Sequence, residues 1–180
     1  TNSPNSSATF YYPNGIIDFL EYKLRDTTLL NESPFKGTTD FISKSDSGIS
    51  GTLQWGCNWS SEDFGFLESF CNLIPTPEGG THEIGFWSSM IKGIKSYGEL
   101  TGNKKINQIT KEDLGHSLCG IISIFINKPT FSGQTKEKLT SPEVVKLVEN
   151  SLKGLFENWL AEDPKVSNLI IEDLLKKSPQ

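Results

Sequence analysis

The chain has 180 residues and a formal net charge of −5, with a 35% hydrophobic share rich in aromatics. That is enough apolar material for one sizeable core, and it excludes an intrinsically disordered chain. The acidic balance argues against a self-sufficient nucleic-acid-binding domain, although a local basic face on a larger enzyme stays open. No apolar run is long enough for a membrane helix, and no basic-then-apolar leader opens the sequence.

Residues 1–8 are polar and turn-forming and read as a flexible lead-in. Thr9 to Tyr12 favours a short strand, and Pro13-Asn14-Gly15 turns the chain. Ile16, Ile17, Leu20 and Leu24 then recur at helical spacing. Thr27 to Ser50 is poor in apolar residues and reads as a solvated loop, with one weak strand candidate near Phe41 and Ile42. Leu53, Trp55, Cys57 and Trp59 alternate with Thr52, Gln54, Gly56 and Asn58, the period of a strand. A hairpin turn at Ser60–Asp63 should lead to a second strand over Phe64–Ile74.

Pro75 to Thr81 breaks regular structure. Ile84, Trp87, Ile91 and Ile94 recur at helical spacing and predict a helix that Thr81 can cap and that ends at Gly98 or Thr101-Gly102. Thr110-Lys111-Glu112-Asp113 resembles a capping box. The β-branched run Leu118–Ile126 predicts a central strand. Pro129–Thr140 reads as an irregular loop, and Ser141-Pro142-Glu143 as a helix start. Val144, Val148, Leu152, Leu155 and Trp159 should line one face of that helix, which stops at Asp163-Pro164. Val166, Leu169, Ile170 and Leu174 predict a last helix, suited at its end by Lys176 and Lys177. The order of elements predicts an α+β two-layer sandwich, with helices on one face of a small mixed sheet.

Little in the sequence announces catalysis. His82 and His116 are the two histidines, and neither stands in a triad pattern. Both read as structural or surface residues. Cys57, Cys71 and Cys119 are scattered, without a C-x-x-C pair, and read as reduced packing residues, which points to the cytoplasm. No Gly-rich nucleotide motif is complete.

Three segments can hold anions. In Phe131-Ser132-Gly133-Gln134-Thr135-Lys136, a glycine allows close backbone approach, Gln134 offers an amide and Lys136 an ammonium. From spacing alone the same residues read first as a polar surface turn. Gly79-Gly80-Thr81-His82 stands at a helix start, where backbone amides attract anions, but paired glycines are turn formers first. Lys92, Lys95 and Lys104, with Lys105 nearby, are candidates for DNA phosphate contact or for a solvated face; Lys136 and Lys138 are candidates to join them in space.

The stretch Ser69-Phe70-Cys71-Asn72-Leu73-Ile74-Pro75-Thr76-Pro77-Glu78-Gly79-Gly80-Thr81-His82-Glu83 resembles the transducer signature of the ATP-operated subunits of bacterial type II DNA topoisomerases. That family comprises the B subunits of DNA gyrase and of topoisomerase IV. Phe131 to Leu139 resembles the switch-lysine loop of the same family, and Tyr97-Gly98-Glu99-Leu100-Thr101-Gly102-Asn103-Lys104 also fits. The Cys-Asn-x-Ile-Pro-Thr-Pro form is closer to topoisomerase IV. Trp87 departs from relatives that carry a basic residue there.

The resemblance implies a ribosomal-protein-like domain with a left-handed βαβ crossover, over residues 9–161. It implies a C-terminal helical extension, 162–180, toward the next domain. Gln134 and Lys136, in a switch loop with Gly133 and Thr135, should sense the terminal phosphate of ATP. Gly79, Gly80, Thr81 and His82 should form a structural anchoring corner. ATP would be bound mainly by an ATPase domain outside this chain, with Mg2+ only in other domains. The implied partners are the subunit's own ATPase and metal-binding domains, the DNA-cleaving subunit of a heterotetramer, and DNA, with no membrane. The implied activity is that of an isomerase fragment, inactive alone. The alternative is a non-enzymatic interaction module related to the middle domains of chaperones or mismatch-repair ATPases.

Overall fold

The structure, a computed structural model, describes residues 15–177. The expected strand at Thr9–Tyr12 lies outside them. The centre of the fold is the strand Leu118–Ile126, in which every residue but Phe125 is buried. Both faces of this strand are covered, which is why its sequence is almost continuously apolar. In chain order the strands are β1 (Phe35–Ile42), β2 (Ser50–Trp59), β3 (Phe66–Cys71), β4 (Ile74–Pro75) and β5 (Leu118–Ile126), and they lie in the order β1-β2-β5-β3-β4. β3 runs parallel to β5; the other pairings are antiparallel.

This order corrects the expected hairpin after Trp59. β3 starts at Phe66 and does not pair with β2, because β5 takes that edge from Trp59↔Leu118 to Gly51↔Ile126. The expected loop over 27–50 also needs correction, since β1 spans Phe35–Ile42. It is an edge strand with only Phe35 and Phe41 buried, so most of its side chains are polar and exposed and its sequence reads as a loop. β3 ends in a tight turn at Asn72 and Leu73, both with positive φ (49° and 69°). The Asn72 amide donates to Ile126 O and accepts from Ile126 N, both at 2.9 Å, so a side chain extends the β5 ladder.

The helices are α1 (Ile16–Lys23), α2 (Thr81–Thr101), α3 (Lys111–Gly115), α4 (Val144–Glu162) and α5 (Pro164–Lys177). Leu53, Cys57 and Trp59 of β2 and Ile122 and Ile124 of β5 share the main core with α2, α4 and α5. The other sheet face carries a second core of Ile16, Leu20, Leu24, Phe70, Cys119 and Ile121. The two-layer expectation is therefore corrected: α1 forms a layer of its own on the opposite face. Gly56 makes room for it, since a Cβ there would lie 2.6 Å from Ile17 Cδ1. The segment expected as an extension is α5, and its Ile170, Ile171 and Leu174 belong to the main core.

Of the four apolar residues that mark the spacing of α2, only Ile94 is fully buried. Ile84 is 53% exposed and Trp87 and Ile91 are half-buried, whereas Gly85, Ser89 and Gly93 face inward. These small residues let α4 approach closely: a Cβ on Gly85 would meet Val145 O at 2.6 Å, and one on Gly93 would meet Phe156 at 2.5 Å. Phe156 in turn stacks on Trp59, 5.7 Å between centroids. On α4, Phe156 and Leu160 are buried in place of Leu155, which is 43% exposed. α2 ends at Gly102 in the left-handed conformation, and the Thr110–Asp113 capping box is formed. α4 begins at Val144, later than the Ser141 signal predicts. Ser141 is occupied elsewhere, its hydroxyl accepting from Thr130 N at 2.9 Å.

Candidate functional site: a loop zipped to a helix start

The segment after β5 folds back on itself. Thr140 N donates to Thr130 O (2.8 Å) and Ser132 N to Lys138 O (3.0 Å), and Phe131 bridges Leu139 antiparallel. This neck holds a solvent-exposed tip, Gly133-Gln134-Thr135-Lys136. Gly133 and Lys136 both have positive φ, 68° and 57°. For lysine that region is sparsely populated, so the surrounding loop imposes it. The side chains of Gln134, Thr135 and Lys136 make no hydrogen bond or ion pair among the described residues.

The second segment is the corner between β4 and α2. Gly79 N donates to Thr76 O at 2.8 Å, and Gly79 and Gly80 take φ of 74° and 136°. Gly80, not Thr81, is the residue before the helix. The expected Thr81 side-chain cap is absent, and the Thr81 hydroxyl is buried with no partner among the described residues. Beneath the corner runs a buried polar chain. Ser69 Oγ donates to Glu83 Oε2 (2.6 Å) and shares a hydrogen bond with Thr76 Oγ1 (2.7 Å), which contacts His82 Nε2 (2.9 Å). Burial lowers the His82 pKa to about 4, so the ring is neutral. Burial raises that of Glu83, against the Ser69 hydrogen bond and the Lys111 charge. The sequence places Ser69 and Thr76 only inside the family-like stretch and gives them no role, although a serine inside an apolar strand is a usable signal.

Tertiary structure joins the two segments. Leu139 N donates to Gly79 O (3.1 Å), Thr81 N to Leu139 O (3.0 Å) and Glu78 N to Glu137 O (3.0 Å). Leu139 is fully buried under this zipper. The result is a free ammonium on a loop whose base is tied to the start of a long helix. A set of donors without carboxylates at the tip suits phosphate oxygens.

The basic residues do not gather there. α2 has 21 residues, so Lys104, in the 3-10 turn beyond it, lies about 30 Å from the corner along the axis. The expectation that Lys136 would join one patch with Lys104 is therefore corrected. Lys92 is committed to α4: it pairs with Glu149, which Lys146 (3.6 Å) and Ser88 (3.2 Å) also contact. The Lys92 hydrogen bond holds the Glu149 carboxyl below its usual range. Lys95 is half-buried and Lys104 exposed. At Trp87, a basic group arrives from another element, Lys111 Nζ lying 6.0 Å from the ring centroid. His116 sits at the surface, 3.0 Å from Asp63. Among the described residues no cluster of His, Cys, Asp and Glu could hold a metal, and no helix is long and apolar enough to cross a membrane.

The chain is similar to the B subunit of DNA topoisomerase 4 from Caulobacter vibrioides, 38% identical over 177 residues, or 96% of this chain and 25% of that relative. It thus spans about a quarter of the length of the curated relatives it matches. Among solved structures it is similar to the topoisomerase IV ATP binding domain of Francisella tularensis, solved with a small-molecule inhibitor. That likeness has 31% identity and a TM-score of 0.74, covering 93% of this chain and 43% of that one. The 43K ATPase domain of Thermus thermophilus gyrase B, solved with an aminocoumarin, shares the fold at 24% identity and a TM-score of 0.76, covering 92% of this chain and 43% of that one. The family model described as DNA gyrase B matches residues 15–180, which takes in every helix and strand among the described residues, and the chain belongs to that family.

Proposed function

We propose that this chain is the transducer segment of an ATP-dependent type II DNA topoisomerase subunit. It couples ATP binding and hydrolysis in a neighbouring ATPase domain to gate movement during DNA strand passage. The observation that carries this reading is the exposed Lys136 ammonium on a loop zipped to the start of α2. Lys136 has no partner among the described residues, while its loop's base is hydrogen-bonded across the neck and to the corner. The solved relative named an ATP binding domain is more than twice as long as the part this chain matches, 43% of it. That leaves room for a separate nucleotide-holding portion. The reading as a free-standing interaction module is not favoured by the family membership.

ATP held by the neighbouring domain supplies an anionic terminal phosphate and, on hydrolysis, its removal. Lys136 and Gln134 meet that phosphate as donors, in a partly dry cleft between the domains. A charge-assisted contact of this kind is worth about 1.5–3 kcal/mol. It favours the domain arrangement in which the loop reaches the nucleotide, and losing it releases the loop. Because α5 shares the main core, the moving unit runs through α5 rather than ending near residue 161. The proposed partners are the remaining domains of the subunit, a DNA-cleaving subunit and DNA. The test is Lys136→Ala in the full-length subunit, reading ATP turnover and relaxation of supercoiled DNA. Both should fall by about tenfold or more; near-normal values for both would sink the reading.

A further inference from the structure

The neck hydrogen bonds of the 130–140 loop fix its shape but not its height above the helices. That height is set where Leu139 lies on the corner. Its amide and carbonyl are both engaged there, by Gly79 O and Thr81 N, and Glu137 O, next to Lys136, is held by Glu78 N. The approach is possible because Gly80 has no side chain. A Cβ on Gly80 would lie 2.2 Å from Leu139 O and 2.6 Å from Leu139 N. Both are backbone atoms, so no rotamer change relieves the clash. The corner itself cannot easily yield: the Ser69–Thr76–His82 chain ties it to β3 from below, and α2 continues from it.

The geometry points to Gly80 as a positioning residue for Lys136. It acts by letting the return strand of the loop seat directly on the first residue of α2. This rests on the reading of Lys136 as a phosphate sensor and adds what sets its reach. Any side chain at Gly80 lifts Leu139 by about 1 Å to restore van der Waals contact, and Lys136 moves with it. A displacement of about 1 Å in a charge-positioning group can cost up to about a hundredfold in rate.

Gly79 provides a control for a side chain at the corner under milder strain, since Gly80, at φ 136° and ψ −161°, lies where almost only glycine is found. The Gly79 φ of 74° also disfavours a side chain, but a Cβ there would meet the flexible end of Glu83, at 2.7 Å, and not the loop. The experiment compares Gly80→Ala, Gly79→Ala, Lys136→Ala and the double Gly80→Ala/Lys136→Ala in the full-length subunit with its DNA-cleaving partner, measuring kcat and KM for ATP. The expected result is a kcat loss of about tenfold or more for Gly80→Ala with little change in KM, and a clearly smaller loss for Gly79→Ala. The double variant should fall within about twofold of Lys136→Ala alone, because misplacing an absent ammonium costs nothing. Gly80→Ala at normal kcat, or a double variant whose losses multiply, overturns the proposal while leaving the sensor intact. Normal turnover in Lys136→Ala overturns the sensor itself.

If Gly80→Ala does not fold, amide hydrogen exchange on the unaltered subunit decides. The Leu139 and Thr81 amides should exchange together, and both should slow when a non-hydrolysable ATP analogue is added. Independent exchange of the two amides overturns the proposal.

Discussion

His82 Nε2 lies 2.9 Å from the Thr76 hydroxyl, in a fully buried position that ties the first turn of α2 to the end of the sheet. Burial lowers the histidine pKa from 6.5 to about 4. The unfolded chain therefore takes up this proton first, and the stability contributed by the neutral ring is full above the unfolded value and drains as pH falls toward the folded one. Between about pH 7.5 and about pH 5 the fold should lose about 2 kcal/mol from this group. Glu83, whose pKa burial raises, has the opposite sign. Urea unfolding across this window tests the point: His82→Gln should flatten the slope, and an unchanged slope would refute the assignment.

The pairing of Lys92 with Glu149 predicts a difference among the basic residues. Glu149 is 6% exposed, and removing its main partner leaves a buried carboxylate with only Lys146 at 3.6 Å and Ser88. Lys92→Ala should cost about 1–2 kcal/mol. Lys104→Ala should stay within about 0.5 kcal/mol of the unaltered protein. Equal unfolding midpoints for the two variants would show that the ion pair contributes nothing.

On the proposed function, DNA contact falls to Lys95 and Lys104. Replacing both with alanine in the full-length enzyme should reduce DNA-stimulated ATP hydrolysis more than basal hydrolysis, and the difference should shrink as salt rises. Equal loss of both rates would argue against a DNA role.

Phe156 fills the space between Gly93 and Trp59. Phe156→Ala should cost about 3–5 kcal/mol through the cavity it leaves. Gly93→Ala overpacks the same place and should cost about 1–3 kcal/mol. Since the two residues touch, their combination should cost less than the sum of the single effects; strict additivity in denaturant titrations would contradict this contact.

The thiols offer a direct check on the core. Cys57, Cys71 and Cys119 are all free and buried, and burial raises their pKa values, to about 12 for Cys71 and about 11 for Cys119. A thiol reagent at mildly alkaline pH should label none of them until denaturant is added. Rapid labelling of the native protein would mean that the sheet opens readily.

Local signals were legible wherever the chemistry is local. The nearly continuous apolar run of β5, the capping box before α3, Gly102 after α2 and the Asp163-Pro164 break after α4 all encode their positions through neighbours in the chain. The loop and the corner were legible as segments for the same reason, and their family resemblance suggested roles. Amino-acid order alone was enough to specify these elements and the residues at the loop tip.

How the elements meet was settled by packing. Strand order depends on which edge finds a partner, so β5 replaced the expected β3 beside β2. The buried stripe of α2 depends on how closely α4 approaches, so Gly85 and Gly93 join Phe86, Met90, Ile94 and Tyr97 inside while Ile84 stays exposed. The missing Cβ of Gly80 matters only because Leu139, far along the chain, brings its backbone to that point. Contacts between backbone atoms leave no trace in hydrophobic periodicity, and for that reason the seat of the Lys136 loop could be found only in three dimensions.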